Sequence, residues 1–145
     1  MTQNVNPTFV KTPNWGATQI TTGTGSSGAV TVYTGGANGS KITALMAVSI
    51  GTTAAYDVQW GVSSGGTLYI YGTASVTANA GSTDSIASIN LMSASNVPLP
   101  VDSDGNPFFF LASSAYTLQA KSPATSSTWT SGAAINLIAP SVGDF

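Results

Sequence analysis

The sequence predicts an all-β protein: a single antiparallel β-sandwich, or a jelly-roll-like barrel, of about eight strands behind an extended N-terminal arm. Three observations predict it. Glu and Arg are absent and Lys occurs three times, while Thr, Ser, Val, Gly and Tyr recur; β-branched residues are stiff at χ1 and suit a pleated surface better than a helix. Short apolar-alternating runs are bounded by Gly, Asn, Asp and Pro at intervals of about 8–12 residues, the rhythm of a sandwich or barrel. The length, 145 residues, is enough for one core, since a domain of this size buries roughly 68–70% of its unfolded surface. The predicted organisation is an arm over residues 1–16 and a sandwich domain over 17–145.

The elements follow in order. Pro7, Pro13 and several Asn residues interrupt regular structure in the arm, yet Phe9, Val10 and Trp15 are apolar. An exposed Trp is costly in water, so Phe9, Pro13 and Trp15 are the candidate interface residues, with a disordered terminus as the alternative. Gln19–Thr21 and Ala29–Tyr33 read as strands around a Gly-rich loop, and Gly35–Gly39 as a turn. Lys41–Ile50 is the longest strand candidate. Ile42, Ala44, Met46, Val48 and Ile50 share one face, and Leu45 and Ala47 make the second face partly apolar, as in a central strand or one covered by a partner. Tyr56, Val58 and Trp60 alternate against Asp57 and Gln59 as a half-buried strand. Ser63–Gly66 turns into Thr67–Tyr71, with Leu68 and Ile70 inward, and Gly72 marks a bulge before Val76. Ile86–Leu91, an extended Asn96–Pro100, Phe108–Leu111, Tyr116–Lys121 and Ile135–Ile138 complete the set. The expected core includes Val32, Ile42, Ala44, Met46, Val48, Val58, Trp60, Leu68, Ile70, Ile86, Ile89, Leu91, Phe109, Leu111, Leu118 and Leu137.

The charge content excludes several functions. Only 6% of residues are charged, against about 25% in ordinary soluble domains. A net charge of -2 gives no long-range attraction to phosphate, so no nucleic-acid partner is expected. No basic amphipathic segment points to a membrane surface. Residues 1–15 lack the apolar stretch of a secretory signal, so synthesis in a host cytoplasm is expected. A weakly charged surface offers little repulsion between copies, and a homo-oligomer, a trimer first, is the expectation.

Catalytic chemistry finds few candidates. There is no His and no Cys, which removes the commonest general base and every thiolate. No serine lies in a G-x-S-x-G elbow, and the three lysines are far apart in sequence. We expect no catalytic residue, cofactor or metal. Asp102-Ser103-Asp104-Gly105-Asn106-Pro107 resembles the start of a calcium loop, but such a loop needs a closing Glu and the chain has none; a turn is the alternative. Trp60, Tyr69 and Tyr71 are either a stacking platform for a sugar or a core residue beside an ordinary cross-strand pair.

Three stretches carry a resemblance: Thr12-Pro13-Asn14-Trp15-Gly16, Tyr33 to Ile42 with its Gly-Gly-x-x-Gly-Ser-Lys-Ile run, and Leu99 to Pro107 with its Asp-Gly-Asn-Pro run followed by apolar Phe108–Leu111. Over Thr12 to Phe145 the chain resembles the small Thr/Gly/Ala-rich structural proteins of tailed phages and prophages. The resemblance implies a place in the virion. A capsid decoration (cement) protein bound to the major capsid protein at the shell surface is the first expectation. A tail, baseplate or head-fibre component is the second, and a carbohydrate-binding module a third from another class.

Overall fold

The structure, a computed structural model, describes residues 12–21, 28–123 and 129–145. Among these residues ten strands rather than about eight form two antiparallel sheets, with one short helix. The strands are β1 (Thr12–Thr21), β2 (Val30–Thr34), β3 (Ser40–Ile42), β4 (Met46–Ile50), β5 (Tyr56–Ser64), β6 (Thr67–Val76), β7 (Ile89–Asn90), β8 (Phe109–Leu111), β9 (Tyr116–Lys121) and β10 (Ala134–Asp144); α1 is Leu91–Ala94. One sheet runs β7-β4-β10-β3-β8 with β1 on the other side of β10, and the second runs β2-β9-β5-β6. β10 is the spine of the larger sheet. Its first half pairs with β4 and its last residues with β3, while β1 follows it along its whole length.

A sandwich-like core fills the space between the sheets. Ile20, Ile42, Leu45, Val58, Trp60, Val76, Leu91, Leu111, Leu118, Ile135 and Leu137 are all fully buried or nearly so. Trp60 sits at its centre, edge-on to Phe109 at 5.7 Å, and its indole N–H donates to Ser95 Oγ at 2.8 Å. Tyr56 stacks on Trp129 at 4.4 Å. Aromatic pairs of this kind add to area burial.

Several sequence expectations change, each for a backbone reason. Lys41–Ile50 is not one strand. The chain leaves regular pairing at residues 43–45, and alternation restarts with the opposite sense. Leu45, Ala47 and Ser49 therefore point inward and are buried, while Met46 and Val48 are half-buried and Ile50 is exposed. Ala44, Met46 and Val48 are accordingly not core. In the β5–β6 hairpin, Trp60 faces Gly72 but Gly61 faces Ile70, so Tyr71 is an extra, bulged residue. A one-residue slip moves the following side chains to the other face. Leu68 and Ile70 thus share a face with Ser63 and Gly61, opposite Trp60, and Ile70 is exposed. The hairpin loop is the two glycines alone, Gly65 and Gly66, both with positive φ, as the tightest turns require.

Ile86 is exposed, and the expected strand from it shrinks to Ile89–Asn90. Asn90 then caps α1, its side-chain oxygen accepting from the Met92 amide at 3.1 Å. Asn96–Pro100 forms no strand; a single bridge joins Val101 to Pro107. Residues 12–16 of the predicted arm pair with β10 as the first half of β1; the rest of the arm, with Phe9, lies outside the described residues.

Candidate interaction surface

In an ordinary sandwich each outer face is polar. Cross-strand partners share a face, so the register of the larger sheet reads its outer face in rows. One row is Thr21–Ala134–Ile50, the next Gln19–Asn136–Val48, and the third Ala17–Ile138–Met46. Beyond the irregularity between Asn14 and Gly16 comes Trp15 beside Pro140, then a row Pro13–Gly143–Lys41–Phe110. Trp15 is 66% exposed, Phe110 51% and Ile50 40%. Pro13, Asn14, Trp15, Ile138 and Pro140 line an open groove of about 350 Å³.

Lys41 is the one charged residue in these rows, and it is neutralised. Its ammonium lies 3.6 Å from an Asp102 carboxylate oxygen and 4.8 Å from the centre of the Phe108 ring. The opposite outer face is more polar over most of its area, although Ile70 stands exposed at its hairpin end. There Asp57 pairs with Ser75, and Thr73 and Lys121 flank Gln59. The charged and polar residues of that sheet are suited to water, whereas the rows of the larger sheet offer it little beyond Thr21, Gln19 and Asn136.

Pro13 and Trp15, singled out from the sequence, lie side by side on the apolar face. Met46, Val48, Ile50, Ile138 and Phe110 were not singled out with them. The available signal was the doubly apolar pattern of residues 42–50, which announces a covered second face without saying which side is outside.

The groove end of the face is anchored by a half-buried carboxylate. Asp144 accepts from Tyr33 OH at 2.8 and 2.9 Å, from Ser40 Oγ, and from Asn14 Nδ2 at 3.3 Å, joining β10 to β2, β3 and β1. Burial pushes the Asp144 carboxyl up, but the Ser40, Tyr33 and Asn14 donors outweigh it and hold the group below the usual carboxylate range. Burial first, and then the Asp144 carboxylate, push the Tyr33 phenol up to about 12. Gly16 completes the anchor: a Cβ there would run into the Val32 carbonyl oxygen, so only Gly lets β1 lie this close to β2.

The other candidates resolve differently. Asp102 Oδ1 accepts from the backbone amides of Asp104 (3.0 Å) and Asn106 (2.9 Å), and its second oxygen faces Lys41. The Asn106 amide, then the Asp104 amide and Lys41, hold its carboxyl below the usual range. This is a self-satisfied Asx-type turn with a cation already beside it. No group of three or more His, Cys, Asp or Glu gathers among the described residues. Of the aromatic trio, Trp60 is core and Tyr71 packs on it at 5.7 Å with its hydroxyl on the Pro98 carbonyl. Tyr69 alone projects freely, at 59% exposure. The chain matches no protein-family model and no curated protein.

Proposed function

We propose that this protein is a non-enzymatic structural component of a phage particle, a capsid decoration (cement) protein that binds the assembled shell and stabilises it. The observation that carries the reading is the outer face of the larger sheet. Among the described residues it is broad, mostly apolar and free of unpaired charge, and surfaces of that kind mark contact with other protein. Interface centres are depleted in charge and enriched in aromatics and Met, which describes Trp15, Met46 and Phe110. The titratable inventory supports the same reading, because without His or Cys the commonest routes to acid–base and nucleophilic catalysis are missing. The likeness of Thr12 to Phe145 to small tailed-phage structural proteins is what suggests a phage particle as the setting.

A protein that binds many equivalent sites on an assembled shell, and not its dissociated subunits, stabilises the shell by mass action. The test compares the heat resistance of shells with and without the protein, with co-sedimentation to measure binding. Decorated shells are expected to survive to higher temperature, and removal of residues 1–11 to weaken attachment while leaving β1 and its pairing with β10 intact. Undecorated shells that bind none of the protein, or its recovery with tails alone, would overturn the reading.

A further inference from the structure

We infer that the outer face of the larger sheet is covered by the same face of a second copy of this chain, as a two-fold pair. The first support is electrostatic. A two-fold contact sets each residue against its own copy or that copy's neighbours, so any unpaired charge meets its like. Over Ile50, Val48, Met46, Ile138, Ala17 and Trp15 there is no charge to repeat, and Lys41 at the far end brings its own Asp102. The opposite outer face, with Asp57 and Lys121, lacks this property.

The second support is size. The face is four strands wide at either end, β1-β10-β4-β7 and β1-β10-β3-β8, and β10 is eleven residues long. With each strand taken at its own length, a strand spacing of about 4.8 Å and a rise of about 3.3 Å per residue give a footprint of roughly 540 Å², the size of a weak pair rather than of a permanent one. A standard stable interface covers about 800 Å² per partner. The third support is relief. Trp15 stands out beside the groove it helps to line, and in a two-fold pair each indole fills the groove of the other copy. A broad face that meets itself makes a pair; the trimer expected from the sequence would need it to meet a different surface. The inference concerns the free protein and does not depend on the particle role; on a shell, the shell surface would take the place of the second copy on this face.

The full chain tests it by sedimentation equilibrium from sub-micromolar to 100 micromolar. The wild type is expected at twice the 14.5 kDa chain mass. Trp15→Lys and Ile50→Lys, both at exposed positions, are expected to move the monomer–dimer midpoint at least tenfold higher in concentration. Tyr69→Lys, equally exposed on the other sheet, is expected to leave it in place, and circular dichroism confirms that each variant is folded. The cysteine-free background adds an independent reading. Ile138→Cys, on β10 at the middle of the face, is expected to form an inter-chain disulfide on mild oxidation, and Ser75→Cys is not. A wild-type monomer at 100 micromolar, a trimer, or a dimer that survives Trp15→Lys and Ile50→Lys would overturn the inference.

Discussion

Asp144 is the most consequential side chain that a surface inspection would overlook. Replacing it with Ala removes the acceptor for Tyr33, Ser40 and Asn14 together. Ser40 is fully buried and Tyr33 only 9% exposed, so their hydroxyl donors lose a partner where water does not easily substitute. Each unsatisfied buried donor costs about 1–3 kcal/mol, which puts Asp144→Ala at about 3–5 kcal/mol. At roughly 3 °C per kcal/mol for a chain of this size, the thermal midpoint is expected to fall by about 9–15 °C. Asp144→Asn keeps one acceptor and loses the charge, and is expected to cost about half as much. The pH dependence has a definite sign. The folded carboxyl lies below its unfolded value, so its stabilisation is present above about pH 4 and disappears as pH falls through the lowered folded value. The Tyr33 phenol is raised from 10.0 to about 12, so its contribution is complete below pH 10 and is lost as pH rises from 10 towards 12. Two pH units on one group amount to about 3 kcal/mol. Urea unfolding of wild type and Tyr33→Phe between pH 7 and 12 separates this group from the others. A wild type that loses no more stability across pH 10–12 than Tyr33→Phe, or an Asp144→Ala variant within about 1 kcal/mol of wild type, refutes the account of the anchor.

Three further outcomes follow from the packing. Trp60→Phe forfeits the bond to Ser95 and part of a fully buried ring, and is expected to cost about 1–3 kcal/mol, against about 3–5 kcal/mol for Trp60→Ala, both read by urea denaturation. Gly16→Val drives a branched side chain against the Val32 carbonyl and the Tyr33 ring, and is expected to lower stability by at least about 1–3 kcal/mol, with hydrogen exchange accelerated first in β1. Calcium is expected to leave the thermal midpoint unchanged relative to chelator, because the Asp102 oxygens are already engaged by two amides and Lys41; an increase of many degrees would show tight binding to the folded state.

The strands were most legible where alternation is strict and uninterrupted. Tyr116–Lys121 is β9 residue for residue, and Tyr56, Val58 and Trp60 point inward as their spacing says. Legibility failed where the backbone changes phase. At residues 43–45 and at Tyr71 a local irregularity flips the alternation, and neither flip leaves a compositional mark beyond Gly72. Long-range pairing was equally hidden. Nothing local to Thr12–Gly16 says that it lies along Ala139–Asp144, and Ile20, Trp129 and Val142 become core only through such contacts. The candidate surface was half visible for the same reason: Trp15 and Pro13 stand out as residues, whereas Met46, Ile50 and Ile138 join them only through the register of three strands.

Oxidative footprinting reads directly whether that surface is covered in the working assembly. Trp15 and Met46 are oxidisable reporters on the face, and Tyr69 is one on the other sheet. On raising the protein from dilute to assembly concentrations, and separately on adding shells to dilute protein, oxidation of Trp15 and Met46 is expected to slow several-fold while Tyr69 keeps its rate. Unchanged labelling of Trp15 and Met46 in both conditions, or protection centred on Tyr69 instead, would contradict such covering.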